Sequence, residues 1–176
     1  MDIYYSTEDK YIRAVQKLDY GYAAKAKRLL SEILEEEPDN GRAHYQLARI
    51  AWWKLRDAEM TRRHLYYAKR FAPGFTPAWY FLVNVLLETR AHEQLLAVAA
   101  EAITVPGISH SWVYFLCALS HEQQLQLGEA TRFAEKALQH SICEDESGEV
   151  KLALARIRRK REAAKPFLYD TGTATD

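Results

Sequence analysis

The strongest constraint on the fold of this chain is an internal repeat of about 34 residues. Three sets of small or apolar residues recur along the sequence at spacings of 34 or 35. The sets are Ala14, Ala48, Val83 and Ala118; Leu30, Leu65, Ala99 and Ala134; and Ile33, Ala68, Ala102 and Ala137. Agreement of three independent sets with one period indicates a chain built from copies of one supersecondary unit.

Each copy has the apolar spacing of two amphipathic helices joined by a short turn. Apolar residues fall at i, i+3, i+4 and i+7 on both sides of the break at 20–22, as in Tyr11, Ala14, Val15, Leu18 and then Ala26, Leu29, Leu30, Ile33. Proline-containing loops close the first three copies, and no run alternates with period two for long enough to make a strand. The sequence predicts an all-α chain with repeats at 7–40, 41–75, 76–110 and 111–144.

Several segments carry a recognisable signature. Trp79-x-x-Leu82-Val83-x-x-Leu86 lies in a first helix, and Gly21-Tyr22-Ala23-Ala24-Lys25-Ala26 opens a second helix. The segment 128–138, Gly-Glu-Ala-x-x-Phe-Ala-Glu-Lys-Ala-Leu, repeats that second-helix pattern. This combination resembles the tetratricopeptide repeat family. The resemblance covers nearly 80% of the chain, and it implies a right-handed α-solenoid of about four helix-turn-helix repeats.

The segment after the last repeat is predicted to be a capping helix at 145–165. Acidic residues lie at its start and basic residues near its end, an order that complements the helix macrodipole. Its apolar stripe is Val150, Ala153, Leu154 and Ile157, which suits the requirement that a solenoid cover its last apolar face. Residues 1–6 are predicted to be an N-terminal extension and residues 166–176 a flexible tail.

Composition narrows the functional classes. Twenty-four basic residues balance twenty-four acidic ones, so the net charge is zero, which disfavours a dedicated nucleic-acid-binding protein. The two cysteines lie far apart in sequence, as in a reduced cytosolic protein. No basic leader and no apolar run of about 20 residues is present, which disfavours secretion and membrane insertion. The expectation is a cytoplasmic protein that does not act at a membrane.

The resemblance implies that the first helices of successive repeats line a concave groove. One register of those helices is aromatic, and its neighbours add a tryptophan, an arginine and an asparagine. The predicted peptide-binding residues are Tyr11, Tyr45, Arg49, Trp52, Tyr80, Asn84 and Phe115. Tyrosine and tryptophan are enriched among binding hot spots, and arginine pairs bidentately with carboxylates. The alternative is that the aromatic column only packs between repeats.

Three more specific functions are disfavoured. Tetratricopeptide domains that bind acidic chaperone tails use a clamp of lysine, arginine and asparagine, but the matching positions here hold Tyr11, Val15, Gln46, Pro77 and Phe81. Cys117 and His121 have a metal-ligand spacing but fall at predicted packing positions. No glycine-rich phosphate loop or nucleophile–base arrangement is recognisable. The sequence therefore predicts no metal, no cofactor and no enzymatic activity.

The expected function is a non-enzymatic adaptor or scaffold that binds a peptide or a partner helix of another protein. Three alternatives stay open. The chain is similar in size and helical repeat content to secretion-type or assembly chaperones, which shield hydrophobic substrates. Its aromatic surfaces are also compatible with self-association into a homo-oligomer. Nucleic-acid binding would rest on the basic run Arg156–Arg161 alone, and the zero net charge makes it the weakest of the three.

Overall fold

The computed structural model describes residues 6–164, which contain no strand. Three predicted segments lie wholly or partly outside the described residues. They are residues 1–5 of the extension, residue 165 of the capping helix, and the tail at 166–176. Two compact units make up the described part, residues 6–109 and residues 110–164. The prediction of an all-α helical-repeat fold is confirmed.

Helices in each unit follow one another as packed antiparallel pairs. The first unit contains α1 (Thr7–Asp19), α2 (Ala23–Glu36), α3 (Gly41–Ile50), α4 (Ala58–Phe71), α5 (Thr76–Glu88) and α6 (His92–Ala102). The second unit contains α7 (His110–Gln123), α8 (Leu127–His140) and α9 (Glu144–Ala163). Packed pairs are α1 with α2, α3 with α4, α5 with α6, and α7 with α8, while α9 packs on α7 and α8.

Local sequence accounts for the start and the turn of these pairs. The Ser6 hydroxyl accepts a hydrogen bond from Asp9 N at 3.2 Å, and the Asp9 carboxylate accepts one from Ser6 N, which forms a capping box for α1. The turn in each pair contains one residue with positive φ: Gly21, Arg56, Arg90 and Leu125. Because these positions are again 34 or 35 apart, the repeat is present in the backbone as well as in the sequence. Glycine adopts this conformation without strain, whereas the other three residues have a Cβ to accommodate.

The second repeat differs from the others by one residue. Ala48 and Leu65 are 17 apart, while the equivalent pairs in the other repeats are 16 apart. The structure absorbs this residue at the end of α3, where Ala51–Leu55 form a π-helical turn. A single extra residue in an α-helix produces this geometry, and such turns are frequent at functional sites.

The cores combine alanines, which allow the helices to approach closely, with larger aliphatic residues that fill the space between them. Ala14, Ala26, Leu30, Ile33 and Ala43 are fully buried and belong to the core of the first unit. The core of the second unit is made in the same way, from Ala118, Ala130, Ala134, Ala137, Val150, Leu154 and Ile157. The apolar stripe predicted for the last helix is therefore buried against α7 and α8, and this burial holds α9 in place.

Gly41 gives a direct test of the contact between α3 and α4. A Cβ at this position would lie 2.6 Å from the Cβ of Ala72 and 2.9 Å from its backbone nitrogen. We expect Gly41→Ala to lower the free energy of unfolding by about 1–2 kcal/mol, because overpacking outweighs the better helix propensity of alanine. Gly128→Ala in α8 is the matched control, since a Cβ there would meet nothing within 4 Å. Equal stability of the two variants in urea titrations would contradict this packing.

Candidate functional site

Aromatic side chains from the second and third repeats form one contiguous cluster in the first unit. We define the aromatic cluster as Tyr45, Trp52, Trp53, Phe75 and Phe81. The rings of Trp53 and Phe81 stack face to face, with centroids 4.9 Å apart and an interplanar angle of 7°. Tyr45 meets Phe75 and Phe81 edge-on at 5.1 and 6.1 Å, and Trp52 meets Phe81 edge-on at 6.4 Å. Trp53 remains 49% exposed and the other four rings are partly exposed, so the cluster presents aromatic surface to the solvent.

Arg49 lies against this cluster and is held there by two contacts. Its guanidinium group lies 5.6 Å from the centroid of the Trp53 ring. Its Nη1 donates to Gln46 Oε1 at 2.8 Å, and Gln46 Nε2 in turn donates to the hydroxyl of Tyr11 at 2.9 Å. Gln46 and Tyr11 are buried, so this chain of hydrogen bonds fixes the half-buried guanidinium group in one place.

Tyr11 contributes to the core, where its role is to support other residues. Its side chain is only 7% exposed, and the guanidinium group of Arg42 lies 4.2 Å from its ring centroid. Arg42 also pairs with the Glu8 carboxylate at 3.3 Å. Of the predicted groove residues, Tyr11 is thus the one that packs between the first two repeats, and its hydroxyl orients Gln46.

Tyr80 and Asn84, both on α5, are partly exposed but have intramolecular partners. The Tyr80 hydroxyl accepts a hydrogen bond from Ser109 N at 2.8 Å and donates to Gly107 O at 3.5 Å. Asn84 Nδ2 donates to Tyr80 O at 3.0 Å. The Tyr80 hydroxyl therefore stabilises the loop that follows α6. Tyr80 is also one of the residues predicted to line the groove.

The structure brings three predicted residues together around the cluster: Tyr45, Arg49 and Trp52. Burial raises the pKa of the Tyr45 hydroxyl, which is therefore neutral near pH 7. Phe115 belongs to the second unit, where it is half-buried and packs against the core around Ala118 and Ala134. The seven predicted residues thus comprise a surface group in the first unit, one core residue and one residue of the second unit.

Trp53, Phe75 and Phe81 belong to the cluster but were not among the residues predicted from the sequence. Phe75 precedes α5, and Phe81 lies one position beyond the predicted aromatic column. Trp53 lies in the π-helical turn, where a regular helical register does not apply. The sequence did contain a signal for Trp53. The 17-residue separation of Ala48 and Leu65 indicates that the regular helical register is interrupted between them.

A hollow of about 210 Å³ opens beside the cluster. Its lining residues come from α1, α3 and the π-helical turn, and they are Leu18, Arg49, Ile50, Trp53 and Lys54. A larger hollow of about 420 Å³ lies between α2 and α4 and shares Ile50 with the first. Both hollows flank the segment that carries the extra residue.

The predicted packing role of Cys117 and His121 agrees with their surroundings in the second unit. Cys117 is buried, and burial raises the pKa of its thiol to about 12. The ring of His121 stacks on Phe133 at 5.1 Å, and its Nδ1 lies 2.6 Å from Gln126 Oε1. Within residues 6–164, no group of three or more potential metal ligands comes together.

The basic run of α9 is partly engaged within the second unit. Arg156 binds the Glu122 carboxylate through Nε at 2.8 Å and Nη2 at 2.7 Å, and Lys160 binds the same carboxylate at 2.7 Å. Arg158 pairs with Glu135 at 3.2 Å. These contacts use three of the cations on which nucleic-acid binding would depend, which weakens that alternative.

Comparison with solved structures identifies the architecture. MamA 41-end from Desulfovibrio magneticus RS-1 has a TM-score of 0.64 and 17% identity, covering 91% of this chain and 97% of that chain. Pseudomonas aeruginosa pilF has a TM-score of 0.70 and 19% identity, covering 89% and 69%. TTC0263, a thermophilic TPR protein from Thermus thermophilus, has a TM-score of 0.58 and 20% identity, covering 89% and 83%. The chain has the tetratricopeptide-repeat fold.

Below 25% identity, this tetratricopeptide-repeat likeness concerns the fold alone. No protein-family model and no curated protein matches the sequence. Among the described helices, none combines the length and the apolar character needed to cross a bilayer. A fold does not by itself determine function, which depends on the residues displayed on the repeats.

Proposed function

We propose that this protein is a non-enzymatic interaction module that binds a peptide or a partner helix on the aromatic surface of its first unit. Tyr45, Trp52, Trp53 and Phe81 supply contact area, and Arg49 and Asn84 orient the bound segment. Tyr11 positions Arg49 through Gln46, while Phe115 supplies a contact of its own in the second unit. In this role the protein acts as a cytoplasmic adaptor or scaffold, without a cofactor or metal.

The observation that carries this proposal is a partly exposed aromatic cluster whose rings contact one another. Trp53 is stacked on Phe81, yet its side chain is still half exposed. A tryptophan ring left in water does not contribute the hydrophobic free energy that its burial would provide. Rigid aromatic rings bind partners with a small loss of conformational entropy, and contiguous exposed apolar surface marks interaction sites. The ordered arginine beside the rings adds a directional polar contact.

The experiment is affinity capture with the double variant Tyr45→Ala/Phe81→Ala. We expect this variant to lose at least about tenfold in partner recovery, because truncation of hot-spot aromatics costs more than 1 kcal/mol each. Captured proteins are identified by mass spectrometry and quantified against wild type. Tyr80 is left intact because its hydroxyl fastens the loop after α6.

Tyr20→Ala/Tyr22→Ala is the matched control, since both tyrosines are exposed at the α1–α2 turn. It removes two aromatic rings from the same unit without touching the cluster, so recovery should stay at the wild-type level. Circular dichroism establishes that both double variants are folded. Equal recovery by the folded cluster variant and the control would refute the proposal.

A self-associating subunit is the second candidate, and the same exposed cluster favours it. Light scattering of the wild-type protein separates the two. A constant dimer that Tyr45→Ala/Phe81→Ala converts to a monomer would assign the cluster to self-association, whereas a wild-type monomer supports binding of a different partner. A secretion-type or assembly chaperone would instead keep a co-expressed hydrophobic substrate soluble.

A further inference from the structure

The extra residue of the second repeat shapes the surface beside the aromatic cluster. It is accommodated by the π-helical turn Ala51–Leu55, which supplies Trp53 and Lys54 to the wall of the 210 Å³ hollow. Because a π-helical turn holds more residues per turn than an α-helix, its side chains point in different directions from those of a regular helix. The wall made by Trp53 and Lys54 is therefore specific to the one repeat that has this residue.

The size and lining of the hollow suit a single apolar side chain. Its volume of about 210 Å³ is below the roughly 300–1,000 Å³ typical of small-molecule and cofactor sites. Leu18, Ile50 and the ring of Trp53 form an apolar interior. Such a pocket excludes water from an aliphatic or aromatic anchor, which is how peptide grooves gain affinity from one residue.

The two cations at this hollow have no carboxylate partner in the described part of the chain, in contrast to four other basic residues of the first unit. Lys10 pairs with Glu36, Arg42 with Glu8 and Lys69 with Glu101. Arg49 instead donates to the neutral amide oxygen of Gln46, and neither it nor Lys54 forms an ion pair within residues 6–164. A half-buried, ordered guanidinium group with remaining donors favours an anionic ligand.

We infer that the hollow anchors an acidic peptide, in which a large apolar residue lies next to a carboxylate. The apolar side chain enters between Leu18, Ile50 and Trp53, and the carboxylate binds Arg49 with Lys54 at the rim. This inference rests on the proposed function and deepens it, because it specifies the chemistry of the peptide. It also assigns a role to the extra residue, which builds one wall of the pocket.

Selection from phage-displayed random dodecapeptides tests the inference with the full-length protein. Recovered peptides are synthesised, and their Kd is measured by fluorescence anisotropy. We expect wild type to select sequences with Asp, Glu or the terminal carboxylate within two residues of a large apolar residue. Arg49→Gln should weaken their binding about tenfold or more, and Arg49→Lys should weaken it less. Arg28→Gln is the control, because Arg28 is an exposed arginine on α2.

A double-mutant cycle locates the carboxylate. Replacing the peptide's acidic residue by its amide should weaken binding to wild type and have little further effect on Arg49→Gln. Independent, additive losses would overturn the assignment of the carboxylate to Arg49. Selected peptides that lack an acidic residue and bind wild type and Arg49→Gln equally would overturn the whole inference.

Two further variants test the pocket itself. Leu18→Trp fills the hollow and should weaken binding at least about tenfold while the π-helical turn stays intact. Deletion of Lys54 gives the second repeat the 16-residue separation of the others, and it should cause a similar loss. If the deletion variant does not fold, Leu18→Trp and Arg49→Gln decide the question, since both keep the chain length.

The outcomes separate this inference from the function on which it rests. Peptides that lose affinity in Tyr45→Ala/Phe81→Ala but bind Leu18→Trp and Arg49→Gln as tightly as wild type would overturn the inference and leave the aromatic surface as the binding site. Failure to select any peptide, or selection of peptides that ignore all of these variants, would contradict both.

Discussion

Replacing Glu122 by glutamine is expected to lower the free energy of unfolding of the second unit by about 2–3 kcal/mol. The Glu122 side chain is only 6% exposed and accepts three hydrogen bonds from Arg156 and Lys160. Removing one partner of a buried pair costs about 3–5 kcal/mol when the remaining charge stays buried. Here both cations are nearly half exposed, so water can solvate them, and the expected loss is smaller.

The acid sensitivity of the second unit should change with the same substitution. Hydrogen bonds from Arg156 lower the pKa of Glu122, and Lys160 adds to this effect although burial opposes it. A carboxyl whose folded pKa is below its unfolded value stabilises the protein above the unfolded pKa, and that stability is lost as the pH falls through the folded pKa. Glu122→Gln should therefore flatten the stability profile below about pH 4.5.

Urea titrations of the wild type and of Glu122→Gln from pH 3 to pH 7 measure both effects. Glu135→Gln is the matched control because the Glu135–Arg158 pair is exposed, and exposed pairs contribute at most about 1 kcal/mol. A loss of stability no larger for Glu122→Gln than for Glu135→Gln would show that the contact does not hold α9 in place.

Acidification from pH 6.5 to pH 4 is expected to destabilise the first unit by about 2 kcal/mol through a histidine pair, of which His44 is buried and His64 is partly buried. His44 Nε2 lies 3.0 Å from the carbonyl oxygen of Pro38, so this nitrogen carries the hydrogen. His44 Nδ1 lies 3.0 Å from His64 Nδ1, so in the neutral pair His44 accepts and His64 donates. His44 is also packed on the rings of Tyr67 and Phe71.

Protonation of His44 would remove the acceptor Nδ1 from this pair, and protonation of His64 would place a charge in a largely apolar setting. Burial lowers the pKa of His64 to about 4, with smaller contributions from the neighbouring His44 and from Arg63 and Lys27. Burial also lowers the pKa of His44. Because the unfolded chain binds protons near pH 6.5 and the folded chain does so only near pH 4, stability is present above pH 6.5 and declines between these values. Partial exposure of His64 keeps the effect below the full value for such a shift.

His64→Gln tests this prediction because an amide can donate to His44 without titrating. We expect the variant to lose most of the decline between pH 6.5 and pH 4 in thermal unfolding experiments followed by circular dichroism. His92→Gln, at the start of α6, serves as the histidine control and should retain the wild-type decline. An unchanged pH profile in a folded His64→Gln variant would count against the neutral histidine pair.

Local features of the fold were accessible from the sequence because they depend on spacing along the chain. The positions of Ala14, Ala48 and Val83 follow from the need for small residues where helices cross, and their period defines the helix pairs. The π-helical turn was also encoded, as one additional residue between Ala48 and Leu65. Trp53 was missed because a regular helical register was applied through that turn.

The candidate site was only partly accessible because exposure is set by neighbouring helices. Tyr11 and Tyr45 occupy equivalent positions in successive repeats, yet Tyr11 is buried under Arg42 while Tyr45 lies in the aromatic cluster. Equivalent sequence positions thus acquired different roles from their tertiary surroundings. Glu122 shows the same effect, since its partners Arg156 and Lys160 are more than thirty residues away.

The sequence by itself determined the helices, their pairing, their turns and the repeat that carries an extra residue, because each depends on the spacing of residues along the chain. Only the tertiary structure decided which aromatic rings stay exposed, that Arg49 is held beside Trp53 by a neutral amide, and which carboxylate holds the last helix. The physical reason is that burial and ion pairing depend on which helices pack beside a residue. The repeat period does not determine which side chains those helices carry, so equivalent residues of different repeats have different neighbours.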